Sequence, residues 1–339
     1  MASAAELDKH RKQLTARRIR FAAVLLVMLF LAALWRLGAG QWDIPAARVA
    51  ALLNPFLDKA TRASPEALVI RSVRLPRFIA AVGTGGLLAV AGAVLQGMLT
   101  NPLAEPYTLG IAAGAAFGGA LGFFMGTIAV TPMAFAGALA ALWLVSFIST
   151  RSGGGATYIV LAGIITNAIL SAGVTFLKAV ADDRLSAIVL WLMGSLSGAS
   201  PLSAIFVWCA ALILFIPAFI FAPQIDAVSL SEGQGTLLGV DEKSLRGILL
   251  ALSSLATAAA VSFFGIIGFV GLVVPHLMRA IAGPATRPLL VFCFLGGGLI
   301  LALADGAAQM LGELPVGVIT ALIGGPFFCW ILMNRRQHR

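Results

Sequence analysis

Residues 77–98 read RFIAAVGTGGLLAVAGAVLQGM, and the only charge in this stretch is the arginine at its first position. A helix that crosses a membrane needs about 20 mostly apolar residues. The whole chain resembles this stretch in composition, because 60% of its 339 residues are hydrophobic and only 11% are charged. Soluble proteins carry roughly 45–50% apolar and about 25% charged residues. The sequence therefore predicts an integral membrane protein.

Ten segments have the length and apolar character of a spanning helix, which predicts an all-α, polytopic transmembrane bundle. A single transmembrane domain is expected at residues 20–333, between a basic segment at 1–19 and a basic tail at 334–339. The predicted spans are 20–37, 77–98, 107–126, 129–149, 158–179, 203–221, 246–263, 266–283, 288–308 and 315–333. A secretory signal peptide is the rival interpretation of the first span, but no A-x-A-like cleavage site follows it.

The distribution of basic residues predicts the orientation. Ten is an even number, so both termini lie on one side, and their lysines and arginines place that side in the cytoplasm. The expected location is the bacterial inner membrane. A second basic cluster between Arg36 and Arg77 falls on the outer side and opposes this trend. That cluster needs an explanation of its own.

Two segments between spans are predicted to form short helices. Asp182–Ser200 is too short and too glycine-broken to cross, which favours a short outer or partly re-entrant helix. The polar stretch at about 222–245 is the longest cytoplasmic loop and is expected to form one or two short helices. In the third span glycine recurs every four residues, which predicts a stripe against which another helix can pack closely. The stripe comprises Gly110, Gly114, Gly118, Gly122 and Gly126.

The sequence carries little that resembles catalytic chemistry. It contains no G-x-x-x-x-G-K-[ST] phosphate loop, so the chain is not expected to hydrolyse ATP. The three cysteines lie far apart in apolar segments, which is neither a disulfide framework nor a metal pattern. No enzymatic activity, cofactor, metal or nucleic-acid partner is therefore expected.

Charges inside the apolar segments are few, and none falls at the centre of a span. Asp305, Lys178 and Asp182 all lie near a predicted outer boundary. Transporters driven by ion gradients usually place ionisable groups within the membrane. The sequence therefore favours a transport pathway whose energy comes from a partner protein. A stand-alone ion-coupled carrier and a membrane receptor without flux remain the alternatives.

A set of motifs occurs in order along the chain: Arg74–Arg77 (RLPR), Gly92–Gln96 (GAVLQ), Asn101–Pro106 (NPLAEP), Gly268–His276 (GFVGLVVPH), Ala304–Asp305 and Leu314–Val318 (LPVGV). In this order and spacing they resemble the permeases of type II ATP-binding-cassette importers for iron-siderophores, haem and cobalamin. The resemblance covers roughly residues 70–335.

The resemblance implies a ten-helix subunit embedded in lipid that forms a homodimer with the pathway at its interface. It also implies two cytoplasmic ATPase subunits, which drive alternating access, and a soluble periplasmic or extracellular substrate-binding protein.

The resemblance also implies roles for particular residues. Arg74 and Arg77 would dock the binding protein, and Gln309 stands where the family has a third docking arginine. ATPase coupling would involve Glu232, Gly235, Leu238 and Gly239, and the pathway would be lined by Asn167, Ser171, Thr175 and Met193.

Overall fold

The computed structural model describes residues 4–40, 42–54, 64–153, 155–230 and 234–334, and these residues form helices and no strand. The helices are α1 (Ala4–Gly38), α2 (Ala46–Leu52), α3 (Pro65–Met98), α4 (Ile111–Met125), α5 (Val130–Arg151), α6 (Ala156–Ala179), α7 (Leu185–Leu192), α8 (Pro201–Ile220), α9 (Ala222–Leu230), α10 (Gln234–Leu237), α11 (Glu242–Phe264), α12 (Val270–Ala282), α13 (Thr286–Met310) and α14 (Val316–Asn334).

The ten predicted spans correspond to ten of these helices. Seven of them, α1, α3, α5, α6, α8, α11 and α13, are long and apolar enough to cross a membrane. The other three, α4, α12 and α14, are shorter apolar helices. The all-α transmembrane bundle is therefore confirmed. Residues 4–19, which the sequence assigned to a separate basic segment, continue α1 without a break.

Two predicted boundaries are wrong at the helix starts. The span predicted at 107–126 begins with a 3-10 turn, Pro106–Leu109, and α4 starts only at Ile111. The span predicted at 266–283 begins inside a non-helical connection, because α12 starts at Val270. Both helices are consequently short. At 1.5 Å per residue, the 13 residues of α12 extend only about 20 Å.

Helix α3 lies at the centre of the bundle. In its apolar 18-residue stretch, 89% of the residues are buried. Small residues let its backbone touch its neighbours, as lipid-embedded helices require. A Cβ atom placed on Gly85 would lie 2.2 Å from the carbonyl oxygen of Gly297 in α13, and a Cβ on Gly297 would lie 2.3 Å from that of Gly85. A Cβ on Gly92 would likewise meet the carbonyl of Gly271 in α12. No larger residue fits at these crossings.

The glycine stripe of α4 packs against α5 as predicted over its middle part. Gly114 faces the backbone of Gly137, and Gly118 faces that of Met133. The two ends of the stripe have other roles. Gly110 is the left-handed residue that precedes α4, with φ of 81°, and a Cβ on Gly126 would meet nothing within 4 Å.

The two predicted short-helix regions are also present. Helix α7 lies within 182–200, and α9 and α10 lie within the loop at 222–245. An ion-dipole contact secures the basic end of α1, because Arg18 donates from Nε and Nη2 to the carbonyl of Ala282, at 3.0 and 2.8 Å. That carbonyl belongs to the last turn of α12, where a positive charge is favourable.

The Gly85–Gly297 contact predicts a large effect from a single methyl group. Gly85→Ala forces two backbones apart, and overpacking of this kind costs about 1–3 kcal/mol. We expect the thermal midpoint of the purified chain in detergent to fall by several degrees. Gly247→Ala is the control, because its Cβ would meet nothing within 4 Å. Equal midpoints for the two variants would contradict the role given to this crossing.

Candidate functional site

Two arginines and two carboxylates meet where α1 and α13 end and the apolar part of α3 begins. Asp305 of α13 accepts hydrogen bonds from Nε and Nη2 of Arg77, both at 2.9 Å. It also accepts one from Nη2 of Arg36, and Nη1 of Arg77 donates to Glu313 at 2.8 Å. We call Arg36, Arg77, Asp305 and Glu313 the Asp305 cluster. It ties together α1, α3, α13 and the turn before α14.

The charges of this cluster depend on one another because they are removed from solvent. The Asp305 side chain is only 1% exposed, and two guanidinium groups donate to it. Bidentate arginine–carboxylate pairing gives strong and directional hydrogen bonds. A buried ion left without its partner is strongly destabilising. From the sequence, Asp305 is interpreted as a charge near the membrane boundary. The structure shows in addition that Asp305 links α13 to α1 and α3 through Arg36 and Arg77.

Arg74 is also buried and bound to its own chain. Its Nη1 donates to the carbonyls of Leu37 and Gly38 at 2.8 and 2.9 Å, and its Nη2 donates to that of Trp42 at 2.6 Å. These bonds hold the connection between α1 and α2. In this conformation the predicted docking arginines, Arg74 and Arg77, therefore both have intramolecular partners. Their docking role stays a prediction.

The sequence analysis missed Arg36 as a member of this site. Its Nη1 donates to Oε1 of Gln309, the position where the family resemblance lacks an arginine. The two residues are 273 positions apart in the chain. No local pattern could have paired them, because Arg36 reads as an ordinary interfacial residue at the end of a span. The contact exists only because α1 packs along α13.

A second site forms where several helices are interrupted. The phenol of Tyr107 donates to the carbonyl of Ile267 at 2.8 Å and accepts from its amide at 3.2 Å. Ile267 lies in the non-helical connection between α11 and α12. Nδ2 of Asn167 donates to the carbonyl of Tyr107 at 3.1 Å. Side chains thus satisfy backbone groups that helical hydrogen bonds would otherwise satisfy.

The position of Asn167 places this interruption at mid-depth in the bundle. It lies eleven residues after the first residue of α6, Ala156, which is about 17 Å along the helix axis. The hydrocarbon core of a bilayer is about 30 Å thick. Irregular backbone at such a depth occurs only where protein buries it or where it lines a water-filled cavity. The interruption is therefore a candidate part of a transport pathway.

Glu105 lies at the turn that carries Tyr107. It forms a capping box with Thr108 at the start of the 3-10 turn. Its Oε2 is buried and has no hydrogen-bond partner among the described residues.

A cleft of about 410 Å³ opens beside this interruption. Three of the four predicted pathway residues, Asn167, Ser171 and Thr175, line it together on one face of α6. Lys178 lines the end of the cleft nearest the last turn of that helix. In the apolar 18-residue stretch of α6, only 22% of the residues are buried. The face that carries the cleft is thus available to another copy of the chain or to solvent.

Met193, the fourth predicted pathway residue, does not line this cleft in the described structure. Its neighbour Leu192 does, together with Tyr107 and Ile266. The carbonyl of Met193 instead approaches α14, where a Cβ on Gly317 would lie 2.2 Å from it. The sequence analysis missed Tyr107 and Ile266, because an aromatic and an aliphatic residue in a membrane chain carry no distinctive signal.

The loop at 222–245 forms a third site, with two short helices whose contacts hold them to α11 and α13. The carboxylate of Asp226 in α9 accepts from the amide of Thr286, the first residue of α13, at 2.9 Å. Oε1 of Glu242, the first residue of α11, accepts from the amide of Thr236 in α10 at 3.1 Å. A displacement of the loop would therefore move α11 and α13 directly.

The apex of this loop exposes apolar side chains. Leu237 is 86% exposed and Leu238 is 65% exposed. Gly239 follows them in a left-handed conformation with φ of 80°, and Gly235 packs against Val228 and Glu242. Glu232 lies outside the described residues. Three of the four predicted coupling positions therefore lie on one surface element, which ends in two solvent-exposed leucines.

Comparison with known proteins identifies the family. Residues 25–334 match the FecCD transport family. The chain belongs to this family. The FecCD protein described here is 39% identical over 279 residues to the cobalamin import system permease protein BtuC of Halobacterium salinarum, covering 79% of this chain and 74% of the relative. It is 37% identical to the hemin transport system permease protein HmuU of Yersinia pestis, covering 79% and 84%.

A solved structure is similar over nearly the whole FecCD chain. It is an inward-facing metal-chelate type ABC transporter, with a TM-score of 0.82 and 30% identity, and the match covers 93% of this chain and 99% of the other. The family resemblance inferred from the sequence motifs is thus confirmed. The FecCD chain is a multi-pass membrane permease of an ATP-binding-cassette importer, and the alternative of a stand-alone ion-coupled carrier gains no support.

The Asp305 cluster predicts unequal effects from its two carboxylates. Asp305→Asn leaves the buried guanidinium groups of Arg36 and Arg77 without their shared anion, and losses of this kind amount to about 3–5 kcal/mol. Glu313→Gln is the matched control, because its side chain is 36% exposed and an exposed pair contributes roughly 0–1 kcal/mol. Thermal midpoints in detergent should fall sharply for the first variant and little for the second. The reverse order would show that Asp305 does not anchor the cluster.

Proposed function

We propose that this permease moves a bulky metal chelate or cobalamin inward between two copies of the chain. The observation that carries the proposal is the cleft on α6, where small polar groups and interrupted helices meet on a largely unburied face. Lipid-facing helices present apolar side chains, so Asn167, Ser171 and Thr175 suit a wet pathway better than a lipid contact. The named relatives carry cobalamin and hemin, which are both large chelates.

Energy enters, in this proposal, through two cytoplasmic ATPase subunits that hold the loop formed by α9 and α10. The exposed Leu237 and Leu238 supply an apolar contact, as the cores of protein interfaces require. The contacts of Asp226 and Glu242 then pass the motion to α13 and α11. In this proposal both termini lie on the cytoplasmic side, an orientation that the ten apolar helices and the basic ends support.

The docking of a soluble binding protein on the opposite side is the second part of the proposal. Positive charge registers and steers a partner with acidic groups. Between Arg36 and Arg77 the sequence carries seven lysines and arginines against three carboxylates, so the balance stays positive when Asp305 and Glu313 are added. We assign to this end of the bundle a residual positive field that an acidic partner would meet. In this assignment Arg36 contributes the charge that Gln309 lacks.

Reconstitution tests the source of energy and the role of the loop. Permease in liposomes, supplied with the cognate ATPase and binding protein, should accumulate chelate only when ATP is present. The double variant Leu237→Ser and Leu238→Ser should lose most ATP-driven uptake and should bind the ATPase less tightly. Leu230→Ser, another exposed leucine before the loop apex, is the control. Uptake by the permease alone, under an ion gradient, would overturn the proposal.

Docking is tested by neutralising rather than reversing the buried charges. The double variant Arg74→Gln and Arg77→Gln should weaken binding-protein affinity by at least fivefold at low salt, with a smaller difference at high salt because ions screen the field. Arg151→Gln, at the other end of the bundle, should leave docking unchanged. Thermal midpoints establish that each variant is folded. A folded double variant that docks with unaltered affinity would refute the assignment.

A further inference from the structure

A groove of about 330 Å³ lies between α5 and α11, at the end where α5 finishes and α11 begins. Its two walls change polarity in the same order. On α11, Lys243 and Arg246 come first and Leu250 follows deeper in the bundle. On α5, Ser149 lies near the helix end and Leu142 lies deeper. The groove is therefore polar at the membrane boundary and apolar towards the interior.

The polar end of the groove retains unused hydrogen-bonding capacity. Nε of Arg246 donates to the carbonyl of Met98 at 3.2 Å, and Nη2 lies 3.7 Å from Glu242. Nη1 of Arg246, the ammonium of Lys243 and the hydroxyl of Ser149 make no hydrogen bond to any described residue. Arginine offers five N–H donors and lysine offers three. Arg246 is buried and Lys243 is exposed, so cationic donors stand at the polar end of the groove, where they favour a ligand that supplies acceptor oxygens.

The groove carries a net positive charge, because Oε2 of Glu242 pairs with Arg246 alone, at 3.7 Å from its Nη2, and Lys243 has no carboxylate partner in the part of the chain that the structure describes. Oε1 of Glu242 accepts from the amide of Thr236 in α10. Oδ1 of Asp241 accepts from the amide of Ser244, as the N-cap of α11. Among the described residues that line the groove there are two cations and no carboxylate. An anion is thus the complementary ligand.

The surface beside the groove has the character of a lipid contact. Trp143 and Phe147 of α5 stack at 5.5 Å between ring centroids, and the guanidinium of Arg151 lies 5.3 Å above the Phe147 ring. Trp143 is 66% exposed. Aromatic residues followed by a cation at a helix end are typical of the membrane–water interface. Trp143, Phe147 and Arg151 lie on the face of α5 next to the one that lines the groove.

We propose that this groove binds the headgroup phosphate of an anionic phospholipid, with an acyl chain along its apolar floor. Basic pockets between helices near a membrane surface suit such headgroups. Lys243, Arg246 and Ser149 hold the phosphate oxygens, and Leu142, Val145 and Leu250 contact the chain. The apolar floor favours a lipid over free phosphate, because a free anion gains nothing from it.

The test measures lipid retention by full-length permease purified in a non-ionic detergent. Native mass spectrometry follows the binding of phosphatidylglycerol and of zwitterionic phosphatidylcholine in separate titrations. The wild-type chain should retain phosphatidylglycerol at lower concentration than phosphatidylcholine. Lys243→Gln should weaken phosphatidylglycerol binding roughly fivefold, the effect expected for one cation near a membrane surface. Millimolar inorganic phosphate should not displace the bound lipid.

Two further variants separate the groove from general surface charge. Gly247→Leu adds a bulky side chain to the groove wall, at a position where a Cβ would meet nothing within 4 Å, and it should abolish selective retention. Arg287→Gln removes a positive charge at the first turn of α13, outside the groove, and should leave retention unchanged. Elution profiles and thermal midpoints establish folding, and if Gly247→Leu does not fold, Lys243→Gln decides alone.

Four results would overturn the proposal. They are unchanged phosphatidylglycerol binding in the folded groove variants, an equal loss in Arg287→Gln, competition by inorganic phosphate, and equal retention of phosphatidylcholine by the wild-type chain. A last experiment adds the ATPase subunit to the lipid-bound permease and measures whether the lipid is displaced. If the ATPase displaces the lipid and Lys243→Gln weakens ATPase binding, the groove belongs to that protein interface and not to a lipid.

Discussion

The direct contact of helix backbones around α3 is the constraint on which the rest of this structure depends. Gly85 and Gly297 approach so closely that neither position accepts a Cβ, and Gly92 meets Gly271 in the same way. Lipid tails are as apolar as leucine, so burial of apolar surface does not drive such helices together. Close packing and buried polar contacts must do so instead. Helix α3 is therefore the central helix of the bundle, and α12 and α13 pack directly against its backbone.

This placement allows helices to be interrupted in the middle of the membrane. The connection between α11 and α12 runs past Tyr107, whose hydroxyl satisfies both polar groups of the Ile267 backbone. Asn167 of α6 in turn satisfies the carbonyl of Tyr107. Two broken segments and one continuous helix thus meet at one point. A rearrangement of either broken segment would alter the cleft on α6.

The two ends of the bundle use charge differently. At the end formed by α1 and α13, arginines from distant segments converge on Asp305. At the other end, the carboxylates of Asp226 and Glu242 bind backbone amides and fix a loop with exposed leucines. The first arrangement suits recognition through a long-range field, and the second suits a mechanical contact. Both depend on carboxylates that join separate helices.

Much of this protein follows from its sequence alone. Apolar run lengths predicted ten helices, glycine spacing predicted that another helix would pack closely on α4, and the ordered motifs predicted the family. These features are local, since each depends on residues within one or two turns of a helix. The short start of α12 was missed because Ile266 and Ile267 are as apolar as a helix requires, while their conformation is set by Tyr107 far away in the chain.

The tertiary structure alone decided which distant residues share a site. It placed Arg36 against Asp305 and Gln309, turned Arg74 and Arg77 inward, and moved Met193 out of the cleft that Asn167, Ser171 and Thr175 line. A one-dimensional pattern shows how far a residue lies along its helix, but it does not show which neighbouring helix that residue will face. In a membrane this choice is made by backbone-to-backbone fit between helices, and that fit has no signature in any single segment.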